Sequence, residues 1–111
     1  MNVSEECCVV YVTADNIDQA RYLARSIVER RLAACANIIP VMESLYWWDG
    51  AVQSSQECVL ILKTTRVLLE TLIEAVKTMH TYQTPCIVAL PIIGGNPDFI
   101  KWISDETNAE R

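Results

Sequence analysis

The sequence predicts an α+β fold, with one antiparallel sheet, two helices on one of its faces and a further helix at the C-terminus. Three observations predict it. Strand-like and helix-like apolar patterns alternate along the 111 residues. Asp49-Gly50 lies between two β-rich runs and marks a two-residue hairpin, because both turn positions need positive φ. Two amphipathic stretches long enough to be helices lie between strands and a third follows the last strand, so the order reads β-α-β-β-α-β-α.

Residues 7–13 (CCVVYVT) are apolar on both faces and read as a buried central strand. Asp15 is the expected N-cap of the first helix, with Asp18 closing a weak capping box. Ile17, Ala20, Leu23, Ala24, Ile27 and Val28 then recur at helical spacing, while Arg30 and Arg31 suit the dipole at its end. A second strand starts near Cys35. Pro40 interrupts it and predicts an edge strand, bent or bulged at that point. The strand resumes through Tyr46-Trp47-Trp48, turns at Asp49-Gly50 and returns through residues 51–65. A second helix is expected over 66–79, capped by Thr65 and burying Leu69, Leu72, Ile73 and Val76. Residues 86–93 have the length of a buried strand. Gly94-Gly95 reads as a turn, and Asn96-Pro97-Asp98 as the start of a last helix that packs through Phe99, Ile100 and Ile103. Two crossovers flanking one hairpin give the ferredoxin-like split β-α-β arrangement, βαββαβ plus a C-terminal helix. The chain is read as a single domain over 1–111, with flexible ends at 1–6 and 105–111.

Composition narrows the function. With 51% hydrophobic and 21% charged residues the chain suits a globular core. Its net charge of -5 argues against binding a phosphate backbone, and an RNA-type aromatic pair with basic neighbours is absent. No apolar run approaches the roughly 18 residues needed to span a bilayer. Five cysteines, an odd number, and a polar N-terminus point to reduced thiols and a cytoplasmic location. No zinc spacing occurs among them.

The returning arm of the hairpin is too long for its own domain. A chain of this size has a radius of gyration of about 14 Å, whereas residues 51–65 extended span about 50 Å. The tip would project with its aromatics exposed on both faces, an aggregation hazard that pairing with sister copies removes. An oligomer in which sister copies cover these hairpins is therefore expected, the alternative being an arm folded back over its own sheet.

His80, the single histidine, reads either as a helix C-cap or as a metal ligand. Met79 and Cys86 are the soft ligands near it in sequence and would suit copper. Met79 also reads as core filler, since adjacent helical side chains diverge by about 100°. Cys35 and Cys58 read as small buried hydrophobes, and Cys7 and Cys8 point to opposite faces. Cys86 with His80 is the one pair suited to thiol chemistry. Tyr46, Trp47, Trp48 and Tyr82 are interface packing, the walls of an intersubunit pocket, or both. Lys63 should emerge at a strand end or pair with Glu57 or Glu43, and at a cleft rim it would bind an anion.

Residues 31–40 (RLAACANIIP), 44–50 (SLYWWDG), 60–65 (LILKTT) and 82–85 (YQTP), with 89–91 (ALP), Gly95-Asn96 and Trp102, together resemble the CutA divalent-cation-tolerance family in order over about 9–104. The resemblance implies a ferredoxin-like fold, a trimer packed through the long hairpins, a role in tolerance of divalent metal ions, copper binding in some members and no established enzymatic activity. The copper site credited to some members uses a first-strand Cys and two adjacent His. The matching positions here are Val12, Met79 and His80, and the acidic residue common after Tyr-x-x-Pro is replaced by Cys86. No cofactor is required on this reading, Cu(2+) being the candidate ligand, and no nucleic acid or membrane partner is expected. The alternative is a PII-like trimer that binds a small molecule or anion at its subunit seams.

Overall fold

The structure is a computed structural model that describes residues 6–107. Its elements run β1 (Cys7–Ala14), α1 (Ile17–Glu29), β2 (Cys35–Trp48), β3 (Ala51–Thr65), a 3₁₀ turn (Arg66–Leu68), α2 (Leu69–Met79), β4 (Ile87–Pro91) and α3 (Pro97–Glu106). The strands form one sheet in the order β2-β3-β1-β4, with every neighbouring pair antiparallel. This is the predicted split arrangement, with β1 central and β2 at an edge.

Alternation along each strand sorts residues between two faces. Val10 and Val12 of β1, Leu60 and Leu62 of β3, and Ala36 and Ile38 of β2 face the helices. Ala20, Leu23, Ala24 and Ile27 of α1 close over them, joined by Leu72, Ala75 and Val76 of α2. Buried side-chain polar atoms among the described residues all have partners. Thr64 is fully buried, and its hydroxyl donates to the Leu32 carbonyl at 2.7 Å.

Several local expectations are corrected. Asn16, not Asp15, caps α1: its Oδ1 accepts from the Gln19 N–H at 2.8 Å. Its extended backbone aims the amide at the first turn, whereas Asp18 is exposed. Thr65 makes no capping bond, so the second helix opens with the 3₁₀ turn before α2 begins. Arg31 takes a left-handed φ of 59° beyond α1 and reaches across to the end of α3, donating to the Glu106 carboxylate at 3.0 Å and its carbonyl at 3.2 Å. Thr107, at the end of α3, is buried, and its hydroxyl donates to the Ile103 carbonyl at 2.7 Å. The remaining terminal residues, 1–5 and 108–111, lie outside the described residues.

β4 is shorter than the apolar run, and Val88 and Leu90 fall on the sheet face that no helix covers there, so they are exposed rather than buried, while Ile87 and Ala89 pack on the core. In α3, Asn96 caps as expected, accepting from the Asp98 N–H at 3.0 Å. Ile103 is buried, but Phe99 turns outward and stacks obliquely on Trp102, ring centroids 5.4 Å apart. The helix lies against β1 and β3 at the Cys7 end, where the thiol contacts the Ile100 carbonyl and Ser104. The rest of that sheet face is left uncovered by helix.

The hairpin turn is as predicted, with φ of 54° at Asp49 and 78° at Gly50. β1 pairs with β3 only up to Cys58, so beyond that point β2 and β3 continue as a two-stranded ribbon with no third strand on either side among the described residues. The described chain accordingly measures 45 × 25 × 22 Å. Trp47, 76% exposed, lies near the ribbon tip.

Candidate functional site

The phase of β2 decides what the uncovered face presents. Ile39 pairs with Val59 and Met42 with Glu57, so Pro40 and Val41 stand opposite Cys58 alone. That extra residue is a bulge, and it inverts the alternation of everything after it. The Cys58 thiol donates to the Pro40 carbonyl at 3.1 Å and satisfies the acceptor that the bulge takes out of the ladder. Without the bulge Trp47 would share a face with Tyr11. With it, Met42, Tyr46 and Trp48 do.

These side chains form one wall of a cleft of about 700 Å³ at the base of the ribbon. Tyr11 and Thr13 supply its floor from β1, Ser55 and Glu57 come from β3, and Tyr82 and Cys86 come from the loop before β4. Three phenols are tied back by their hydroxyls. Tyr11 donates to the Met42 sulfur at 3.3 Å, Tyr46 bonds Ser55 Oγ at 3.2 Å and Tyr82 donates to Glu57 Oε2 at 2.7 Å. Burial raises the Tyr82 phenol above its ordinary value, and the Glu57 carboxylate, as hydrogen-bond acceptor and as charge, raises it further with smaller contributions from Asp15 and Tyr46. Asp15 and Glu57 line the cleft, Glu43 borders it from β2 with its side chain in the opposite phase to Met42, and no Lys, Arg or His lines it among the described residues.

His80 holds the loop to the sheet. It terminates α2, and its Nε2 sits 2.7 Å from the Thr13 carbonyl while Nδ1 accepts the Tyr82 N–H at 3.0 Å. A carbonyl can only accept and an N–H only donate, so the ring is the neutral Nε2–H tautomer with both nitrogens engaged. The ring also lies 4.6 Å from that of Tyr82.

The structure thus gathers Tyr46, Trp48, Tyr82 and Cys86 in one cleft and places the other sequence candidates elsewhere. Trp47 belongs to the opposite ribbon face. Lys63 pairs with neither Glu57 nor Glu43: its Nζ donates to Asn37 Oδ1 across the β2–β3 ladder. Met79 packs against the core, and its carbonyl accepts from Gln19 Nε2. Burial pushes the Cys7 and Cys8 thiols up, which suits inert core residues. As they stand, His80, Cys86 and Met79 do not fit copper: the imidazole has no free lone pair and Met79 faces the core. No group of three metal-ligating His, Cys, Asp or Glu side chains occurs among the described residues. Sequence reasoning missed Tyr11, Met42 and Glu57 as a site. Pro40 was the available signal, since a bulge there fixes which β2 residues join Tyr11.

Comparison with known proteins places this geometry. The family described as "CutA1 divalent ion tolerance protein" matches residues 8–106. A rice relative, "Protein CutA 1, chloroplastic", is 48% identical over 89% of this chain and 56% of its own length. The "Divalent-cation tolerance protein CutA" of Thermus thermophilus is 44% identical over 89% of this chain and 96% of its own. The chain spans about half the length of the plant relatives it matches. Among solved structures, CutA1 from Oryza sativa superposes with a TM-score of 0.92 at 45% identity, covering 96% of this chain and 98% of that one. A structure described as the "Periplasmic divalent cation tolerance protein CutA from Archaeoglobus fulgidus" gives 0.89 at 35% identity over 92% and 99%. With relatives named chloroplastic or periplasmic, the expectation of a cytoplasmic location finds no support in them; no helix among the described residues is long and apolar enough to cross a membrane. By the extent of the family match and the identity shared with these relatives, the chain belongs to the CutA1 divalent ion tolerance protein family.

Proposed function

We propose that this chain acts in the cell's response to divalent metal ions as a non-catalytic homotrimer. The relationship to proteins named for divalent-cation tolerance, 44% identity across 89% of the chain in the Thermus case, is the observation that carries the metal link. The ribbon supports the assembly, since its exposed Leu45, Trp47 and Val52 and unpaired strand edges invite a sister copy. The family is named for tolerance and not for a reaction, and among the described residues no basic side chain lines the cleft to activate Cys86. No resident metal is needed on this reading, and copper acts through exposure of the cell and not as a structural ion.

The PII-like reading is not adopted, because the part of the cleft that this chain lines carries Asp15 and Glu57 and, among the described residues, no Lys, Arg or His. A bacterial strain deleted for its own family member, challenged with copper or zinc, tests the proposal. Growth should recover when this chain is expressed. Failure to recover at confirmed expression of the folded protein would overturn the metal link.

A further inference from the structure

Two exposed apolar faces of this chain each carry one charge, and the charges are opposite. We propose that the outer face of the ribbon docks on the uncovered sheet face of a sister copy, where Glu43 of one chain pairs with Lys63 of the next. This rests on the assembly proposed above and adds to it the two surfaces that meet and the ion pair that sets their register.

Alternation puts Lys63 on the sheet face away from the helices, since the adjacent Leu62 points into the core. Cys35, Lys63, Val9 and Leu90 form one row across the four strands. The next row runs from Asn37 to Val88 through Ile61 and Tyr11. Lys63 is the one charged side chain in these two rows, and Val88 and Leu90 beside it are exposed. Covering this face takes the ammonium out of water. It can donate three hydrogen bonds, and Asn37 Oδ1 accepts one. A buried charge without a counter-charge is strongly unfavourable, so the covering surface has to bring a carboxylate.

The ribbon brings one. On the face opposite to Met42, Tyr46 and Trp48 it presents Glu43, Leu45 and Trp47, with Val52 across from Trp47. Leu45, Trp47 and Val52 are exposed, and Glu43 has no ion-pair partner among the described residues. The sizes agree. The free ribbon, residues 51–57 of β3, is about 20 Å long. β1, at the centre of the open face, has 8 residues and is about 26 Å long, and α3 lies over its Cys7 end. The two surfaces differ, so the contact is heterologous and closes as a ring, which a cyclic trimer satisfies. Within one chain the two charges cannot meet. Glu43 pairs with Gln56, and Gln56 lies about 23 Å along β3 from Lys63. That exceeds the screening length of about 8 Å in physiological salt, so any coupling between the two residues acts between chains.

Charge reversal tests the pairing. Lys63→Glu, Glu43→Lys and the double variant are compared with the unaltered full chain by light scattering over a dilution series in physiological salt, once circular dichroism shows each to be folded. Each single reversal sets like charges against each other at every seam. It should raise the concentration at which the assembly dissociates about tenfold, and the double variant should return to within about threefold of the unaltered chain. Glu70→Lys makes the same charge change at an exposed position on α2 and should leave assembly unchanged. If a reversed variant does not fold, Lys63→Met and Glu43→Leu give the same pattern without charge: weaker singly, restored together. Losses that simply add in the double variant would overturn the proposal and leave the assembly itself intact. So would single variants that assemble as tightly as the unaltered chain. A folded, monomeric unaltered chain would overturn the assembly and this contact with it.

Discussion

Replacing Tyr82 by Phe removes one hydroxyl and tests how the loop before β4 is held. The Tyr82 O–H donates to Glu57 Oε2 at 2.7 Å, linking positions 25 apart in sequence. A hydrogen bond to a charged acceptor contributes about 1.5–3 kcal/mol when buried. Both residues are half-buried, so solvent competes and about 1 kcal/mol is expected at neutral pH. The pH dependence adds a second signature. The phenol is raised above its reference value of 10.0 in the folded state. A group raised on folding contributes stability that is fully present below its unfolded value and is lost as pH climbs through the folded one. The loss therefore begins near pH 10 and has a limiting slope of about 1.4 kcal/mol per pH unit for one proton. Other tyrosines and lysines titrate in the same window, so the difference between wild type and Tyr82→Phe is the useful quantity. Urea unfolding at fixed protein concentration, at pH 8 and at half-unit steps from 9.5 to 11.5, measures it. The variant should be less stable at pH 8, and the gap should close as pH rises. Equal stability at pH 8 with parallel curves above pH 10 would show that the Tyr82–Glu57 bond does not hold the loop.

Two other predictions address the frame around the site. Thr64→Val keeps the shape of a fully buried side chain but takes the donor from the Leu32 carbonyl. It should cost about 1–2 kcal/mol in urea unfolding, while Thr64→Ser should cost less than Val does. Gly50→Ala forces a side chain into φ of 78° at the ribbon turn and should destabilise by about 1 kcal/mol without altering the core amides seen by hydrogen exchange.

How much was legible in the sequence depended on distance along the chain. The hairpin was readable because Asp49-Gly50 encodes its own backbone, and the bulge because Pro40 cannot donate to the ladder. The last helix was likewise announced by Asn96-Pro97. The first cap was misassigned by one residue, since Asp15 and Asn16 are both good caps and only the exit direction of β1 separates them. The cleft was harder. Its composition depends on the phase inversion at Pro40 together with pairings such as Met42 with Glu57, which no local pattern specifies. His80 shows the same limit. Its place at the end of α2 was evident, but Thr13, whose carbonyl occupies one of its nitrogens, lies 67 residues earlier. Lys63 looked like an ion-pair member because it lies in an otherwise apolar strand, yet the register sets it opposite Cys35, beside Asn37.

Light scattering on the purified chain, diluted to the low-micromolar range, bears most directly on the ribbon as an assembly device. Each chain weighs 12.5 kDa, and the account predicts a particle of three chain masses that persists on dilution. A stable, folded particle of one chain mass would contradict it, because the exposed aromatics and open edges of β2 and β3 would then have no sister copy to cover them.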